Sequence, residues 1–329
     1  MKAVVTGGAG FIGSHLVDLL LNKGYEVIIV DNFCTGSLNN IDQTSNRVLI
    51  INHDIRTPLP TNLFNNCSIV FHLAALADIV PSIEKPIDYM STNVQGTVNV
   101  LEAARASNIK RFIYTASSTC YGVTSNFPTT ENDQIAPTFP YALSKYLGEL
   151  VFFHWLNLYG LKGLSLRLFN VYGPRARTTG NYGAVMGVFL AQKIAQKPFT
   201  VVGDGNQVRD FTYVSDVAQA FVLAGESEIT GEAINIGTQN PQSVNRLVEL
   251  LAGEVEFIPK RPGEPDRTHA DILKAKNLLD WKPKITFEEG VMNVLSQINM
   301  WKDAPLWNKE DIVKATSTWF QYLGKNETY

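Results

Sequence analysis

The stretch Ala3-Val4-Val5-Thr6-Gly7-Gly8-Ala9-Gly10-Phe11-Ile12-Gly13 lies near the start of this 329-residue chain, and its reading decides the fold. A short apolar β-branched run predicts a buried strand over Ala3–Val5, and the periodicity that follows predicts a helix over Ile12–Lys23. Between them, Gly7, Gly10 and Gly13 keep Cβ atoms away from a tight turn. A pyrophosphate can then approach backbone N–H groups at the positive end of a helix, with Phe11 and Ile12 supplying first-turn donors. The loop reads as a dinucleotide cradle.

Working outward, the next strand, Val27–Val30, ends at Asp31-Asn32. An acid placed there, about 20 residues past the glycines, accepts adenosine-ribose hydroxyls and repels a 2′-phosphate. No Lys or Arg occurs between Asp31 and Asn40, so NAD is expected rather than NADP. Further strands are expected at Val48–Ile51, Ile69–Leu73 and Phe112–Thr115, with helices at Val94–Ser107 and Tyr141–Tyr159. Asp54-Ile55 follows the third strand and Leu73-Ala74-Ala75 the fourth, small residues that either admit a flat cofactor against the sheet edge or simply pack. Strand–helix alternation implies right-handed crossovers and an α/β, doubly wound parallel sheet, which binds ligands at the carboxyl ends of its strands.

After about residue 160 the loops lengthen. Strands are expected at Leu164–Leu168, Phe199–Val202 and Ala233–Ile236, and helices at Ala184–Gln196, Val214–Ala224 and Val244–Leu251. The expected organisation is a cofactor-binding domain over 1–170 with returning segments near 205–225, a discontinuous smaller lobe over 171–300, and a docked helical tail over 301–329. Trp301, Trp307, Trp319 and Phe320 supply the tail's apolar contacts.

Composition narrows the function. Twenty-eight basic against 31 acidic side chains give a net charge of −3, too balanced for a general nucleic-acid binder or a polybasic membrane-surface protein. No apolar run reaches the roughly 18 residues a bilayer span needs, and Met1-Lys2 leads straight into the first strand without a signal-like run. Three cysteines, Cys34, Cys67 and Cys120, without a C-x-x-C pair fit neither a disulfide framework nor a zinc ribbon, so a reducing cytoplasm and no structural metal are expected.

A reacting centre is expected where Ser117, after the fifth strand, meets Tyr141 and Lys145. Pro140 starts the helix, which sets Tyr141 and Lys145 one turn apart on one face. Singly, each has a plain structural reading, a core aromatic and a solvated lysine. Together, and beside a nicotinamide cofactor, the ammonium and the nicotinium ring would draw the tyrosine hydroxyl down from its usual pKa near 10. A fall of about 3 units needs about 4 kcal/mol of differential stabilisation, within reach of two positive charges in a partly dry cleft.

The ordered set Thr6–Gly13, Asp31-Asn32, Asp54-Ile55, His72-Leu-Ala-Ala75, Asn93-x-x-Gly-Thr97, Ser117-Ser-Thr119, Tyr141-x-x-x-Lys145 and Arg167–Gly173 resembles the extended short-chain dehydrogenase/reductases that act on nucleotide sugars. The likeness runs to about residue 295 and implies a Rossmann-type sheet, a tightly held NAD, Asn93 among the cofactor-binding positions, and a homodimer built on the helices at Val94–Ser107 and Tyr141–Tyr159. Within the family, 4,6-dehydratases and decarboxylases carry an acid just after the catalytic hydroxyl; Ser118 and Thr119 stand there instead, and Thr119 resembles the 4-epimerase type. Cys120 falls one position past the cysteine of 3,5-epimerases and reads as packing.

On the substrate side the resemblance implies Asn170, Arg209, Arg261 and Glu264 at a nucleoside diphosphate, the two guanidiniums presenting planar donor forks to the phosphates and Glu264 accepting ribose hydroxyls. Ser117, Ser118 and Thr119 would face the sugar. Thr268 occupies a position that is bulky in some hexose-specific members and should leave room for an N-acetyl group. Arg177 is either a ligand for a uronate carboxylate or a solvated loop arginine. The expected function is epimerisation at C4 of a nucleotide sugar, UDP-linked by preference. Its rivals are a dehydratase or decarboxylase on the same scaffold, and a catalytically idle NAD-binding regulator.

Overall fold

The computed structural model describes residues 1–60, 62–176 and 184–324. Seven strands form one parallel sheet: β1 (Lys2–Thr6), β2 (Glu26–Asp31), β3 (Val48–Asn52), β4 (Ile69–His72), β5 (Arg111–Ser117), β6 (Gly163–Leu168) and β7 (Glu232–Ile236). Their order is β7-β6-β5-β4-β1-β2-β3, so the chain reverses direction across the sheet between β1 and β4. A crevice opens at such a reversal, beyond the carboxyl ends of the strands. Every residue of β4, β5 and β6 is buried, as the continuous apolar runs require of strands covered on both faces.

Helix α1 (Phe11–Asn22) packs one face of the sheet beside the helix Val214–Glu226, and one apolar core lies there among Leu16, Leu20, Ile29, Ile113 and Phe221. The other face is covered by α2 (Gly96–Ala106) and α3 (Pro140–Tyr159) over a second core that includes Val4, Val100, Phe112 and Phe152. The expected start of α2 at Val94 is replaced by a wide π-turn at Ser91–Gln95, which re-aims Asn93. Gly160, at φ +70°, ends α3 in the left-handed conformation that favours glycine.

The chain's return to the first sheet extends to Ile236, past the 205–225 segment expected from sequence, because β7 pairs in parallel with β6. A second lobe gathers three strand pairs: Val171–Tyr172 with Thr212–Tyr213, Val208–Arg209 with Gln242–Ser243, and Phe199–Val202 with Val255–Ile258. Its core holds Phe189, Phe199, Phe211, Phe287 and Trp301. The tail docks as helices Lys309–Ala315 and Ser317–Leu323, with Trp301 and Trp319 buried and Phe320 facing outward. Among the described residues, no helix is long and apolar enough to cross a membrane.

Candidate functional site

A cavity of about 870 Å³ runs from the Gly7–Gly13 loop, over the ends of β1, β4 and β5, to the second lobe and the tail. At the loop, Gly7 has φ +71°, and a Cβ there would lie 2.7 Å from the Ala74 nitrogen. A Cβ on Gly13 would drive into the Gly7 carbonyl. Helix α1 starts at Phe11 behind Gly10 with no side-chain cap among the described residues and no acid in its first turn. Its first N–H groups therefore face the cavity with the positive end of the helix behind them, which fits a pyrophosphate.

Beside this cradle, the Asp31 carboxylate accepts the Ala9 N–H at 3.0 Å and the Phe33 N–H at 2.8 Å. Burial pushes its pKa up, against those two bonds. Asn32 donates to Asp54, and Asp54 clasps Arg56 at 2.6 Å. That pairing, through the guanidinium first, draws the Asp54 carboxyl down to about 2. Arg56 was not foreseen at the adenosine end, since it arrives from β3 rather than from the loop after β2; its charge is matched locally by Asp54. Gly7, Gly10, Phe11, Ile12, Gly13, Asp31, Asn32, Asp54, Ile55 and Leu73 to Ala75 all line the cavity as expected.

Asn93 does not. It is buried behind the wall, where its Oδ1 accepts the Leu76 N–H at 2.8 Å and its Nδ2 donates to the Leu76 carbonyl and to Ser144. Its amide thereby braces the loop after β4 against α3. His72, buried and held neutral by burial at a pKa of about 3, bonds Thr6 and Thr97, and Thr6 in turn takes the Ala74 N–H. The cavity floor is thus fixed by groups one layer beneath it.

At the centre, Ser117 ends β5, and its hydroxyl accepts from the Thr119 hydroxyl at 2.9 Å and lies within hydrogen-bond reach of Tyr141. Lys145 sits one turn further along α3, buried, with Nζ 4.6 Å from the centre of the Tyr114 ring. Burial lowers its pKa to about 7, against the pull of Glu149. The protein's own groups do not lower Tyr141: burial dominates and holds its hydroxyl above 10, with the Ser117 bond acting the other way and the Asp78 carboxylate adding to the rise. The depression expected from the sequence rests on Lys145 and a nicotinium ring together; within the chain alone, desolvation of both groups opposes it. Cys120, buried in the following turn, is pushed up to about 12 by desolvation, which leaves a thiol without acid–base use.

Under this centre lies a buried network that the sequence did not reveal. Arg167 forks onto Glu149 at 2.8 Å, Ser165 donates to the same carboxylate, and Tyr121 joins Arg167 to Asn235. It locks α3 to β6 one turn from Lys145.

At the other end, Arg209 reaches Glu264 at 2.8 Å, and Arg261 approaches the same carboxylate at 3.6 Å. Asn170 lines the cavity beside them. Thr268 stands one hydrogen bond behind, donating to Asn170 at 2.7 Å and accepting the Asp210 N–H at 2.9 Å, and is not among the lining residues. Arg177 lies outside the described residues. Sequence reasoning also missed the wall made by Trp301, Trp307 and Trp319, because a tail packs on whatever surface the rest of the fold leaves.

A doubly wound sheet, a dinucleotide cradle and a Ser-Tyr-Lys centre define a nucleotide-dependent short-chain oxidoreductase scaffold. The family described as GDP-mannose 4,6 dehydratase matches residues 4–294, and the chain belongs to that family. It is 35% identical over 302 residues to a UDP-glucose 4-epimerase of Mycolicibacterium smegmatis, covering 88% of this chain and 96% of that one. Among solved structures, a UDP-N-acetylglucosamine 4-epimerase of Methanobrevibacter ruminantium in complex with UDP-N-acetylmuramic acid matches with TM-score 0.85 and 34% identity over 90% of this chain and 98% of that one. A UDP-glucuronic acid 4-epimerase of Bacillus cereus in complex with UDP-glucuronic acid and NAD matches with TM-score 0.85 and 33% identity, over 91% of this chain and 99% of that one.

Proposed function

We propose that this chain is an NAD-dependent nucleotide-sugar 4-epimerase that inverts C4 through a 4-keto sugar, with UDP-hexoses and UDP-N-acetylhexosamines as its preferred substrates. One observation carries the choice of reaction: Ser117, Tyr141 and Lys145 converge on one cavity, while the two residues after Ser117 are Ser118 and Thr119. Neither can shuttle a proton between C5 and C6, as a dehydratase requires, and the Cys120 thiol is too weak an acid to replace them.

Gly7, Gly10, Phe11, Ile12 and Gly13 would hold the NAD pyrophosphate, Asp31 and Asn32 the adenosine ribose, and Asp54 with Ile55 the adenine end. Bound NAD supplies a hydride acceptor at C4 that later becomes the donor. Tyr141 exchanges the O4 proton, and Ser117 holds O4 by a hydrogen bond. With burial raising Tyr141, its deprotonation belongs to the loaded complex, where Lys145 must be charged to help. Asn170, Arg209 and Arg261 would bind the diphosphate and Glu264 a ribose; Arg177 remains a candidate for the sugar end. Thr268 lies behind Asn170 and does not line the cavity, so its short side chain takes no room from an N-acetyl group. No further acid is needed, because the keto sugar has only to present its other face.

We also assign a homodimer. Leu143, Leu150 and Leu158 form an exposed apolar stripe on α3, and burying such a face on a second copy removes it from water. Light scattering should give twice the 36.5 kDa of one chain. The cytoplasm is the compartment that fits three unpaired cysteines.

The test is NMR of UDP-N-acetylglucosamine, UDP-glucose and UDP-glucuronic acid incubated with the purified protein in D2O. The galacto-epimer with no deuterium on the carbon skeleton is the expected product. A 4-keto-6-deoxy sugar carrying deuterium at C5, or loss of the uronate carboxyl, would replace this reading with a dehydratase or a decarboxylase. Zero turnover of every sugar would favour an NAD-binding regulator.

A further inference from the structure

Residues 301–324 lie beyond the range that the family match covers, yet Trp301, Trp307, Thr316 and Trp319 line the cavity. The last helix, Ser317–Leu323, joins three segments that are far apart in sequence. The Trp319 indole N–H donates to the Pro262 carbonyl at 2.6 Å, and its ring lies 5.7 Å from the Arg261 guanidinium carbon. The same ring is 6.5 Å from Phe139, which stacks on Tyr141 at 6.2 Å and 14°. Thr318 bonds Glu84 at 3.2 Å, and Trp319 and Leu323 share an apolar cluster with Val80 and Ala142. Each segment also lines the cavity, through Arg261, Val80 and Tyr141.

We propose that Trp319 is a positioning residue of the substrate cleft, whose indole face holds the Arg261 guanidinium ready for the diphosphate while the helix around it fastens the second lobe to the start of α3. A guanidinium against an aromatic face is partly desolvated and keeps its in-plane N–H groups aimed at an anion. Without the ring, Arg261 regains rotamer freedom that diphosphate binding must then remove. The tail thereby encloses the site on the side where a keto sugar, turning over between hydride transfers, would otherwise meet water. This rests on the reading of Arg261 given above.

Calorimetric titration with UDP separates the possibilities. Trp319→Leu keeps apolar packing and removes the aromatic face, and Trp319→Phe keeps the face and removes the N–H. The leucine variant should bind UDP roughly tenfold more weakly, with KM for the UDP-sugar rising in parallel, and the phenylalanine variant should stay within about threefold. NAD content on purification should be the same in both, since Trp319 touches nothing at the Gly7–Gly13 end. In an Arg261→Ala background, Trp319→Leu should add less than about twofold, because the two act as one unit. Equal weakening by Leu and Phe, no weakening by either, or a loss that adds in full to that of Arg261→Ala would overturn the proposal. A wild-type chain that binds none of UDP, GDP or dTDP would instead overturn the reading of the cleft, and this proposal with it.

Discussion

Replacing Lys145 by Met tests the electrostatics of the centre most directly. Lys145 is 4% exposed, and its pKa falls from 10.5 to about 7. A fall of that size disfavours the buried ammonium by roughly 5 kcal/mol. The folded chain loses this proton as pH rises through about 7, while the unfolded chain keeps it until about 10.5. Between those values the unfolded state binds more protons, so the lysine makes stability rise with pH, by about 1.4 kcal/mol per unit and by about 2–3 kcal/mol from pH 7 to 9. Methionine fills similar space and does not titrate, so the variant lacks this slope. Urea unfolding of both cofactor-free proteins at pH 7, 8 and 9 should show the variant ahead at pH 7 and the gap closing as pH rises. The groups common to both cancel in the difference. A gap that stays flat with pH would refute the reasoning, for it would mean that Glu149 and the Tyr114 ring compensate the ammonium in full.

Tyr141→Phe should lower kcat by roughly 10²–10⁴ with little change in KM, and a loss below tenfold in a coupled epimerase assay would move the proton-transfer role elsewhere. Glu149→Gln leaves Arg167 charged and unpaired in the interior, a change that costs about 3–5 kcal/mol; the melting temperature should drop by about 5 °C, and an unchanged melt would mean that solvent reaches the pair. The same variant removes the carboxylate that raises Lys145, so the pH at which the activity profile falls should move down. Gly13→Ala sets a Cβ against the Gly7 carbonyl, and overpacking of about 1–3 kcal/mol predicts NAD held roughly ten- to a hundredfold less tightly. Stoichiometric NAD on the purified variant would contradict that.

The first sheet and its cofactor end were legible in the sequence because their signals are local. A β-branched run, three glycines and an acid at the end of the second strand each act within a few residues, and Thr6–Gly13, Asp31 and Asp54 stand where their spacing placed them. Tyr141 and Lys145 were legible for the same reason, since one helical turn and a proline at its start fix their shared face. What surrounds them was not. The pKa values of that pair follow from desolvation, and burial is a property of the whole fold; a sequence that shows a lysine four residues from a tyrosine does not show that both are dry. Asn93 illustrates the limit: the sequence shows a motif position, and only the fold shows that its amide braces Leu76 and Ser144. The Glu149–Arg167 lock and the Trp319 contact with Arg261 join residues from different strands, helices and loops. Such contacts depend on how elements cross in space, and the sequence by itself determined the elements and the cradle, while only the tertiary structure decided which side chains share the cleft and at what electrostatic cost.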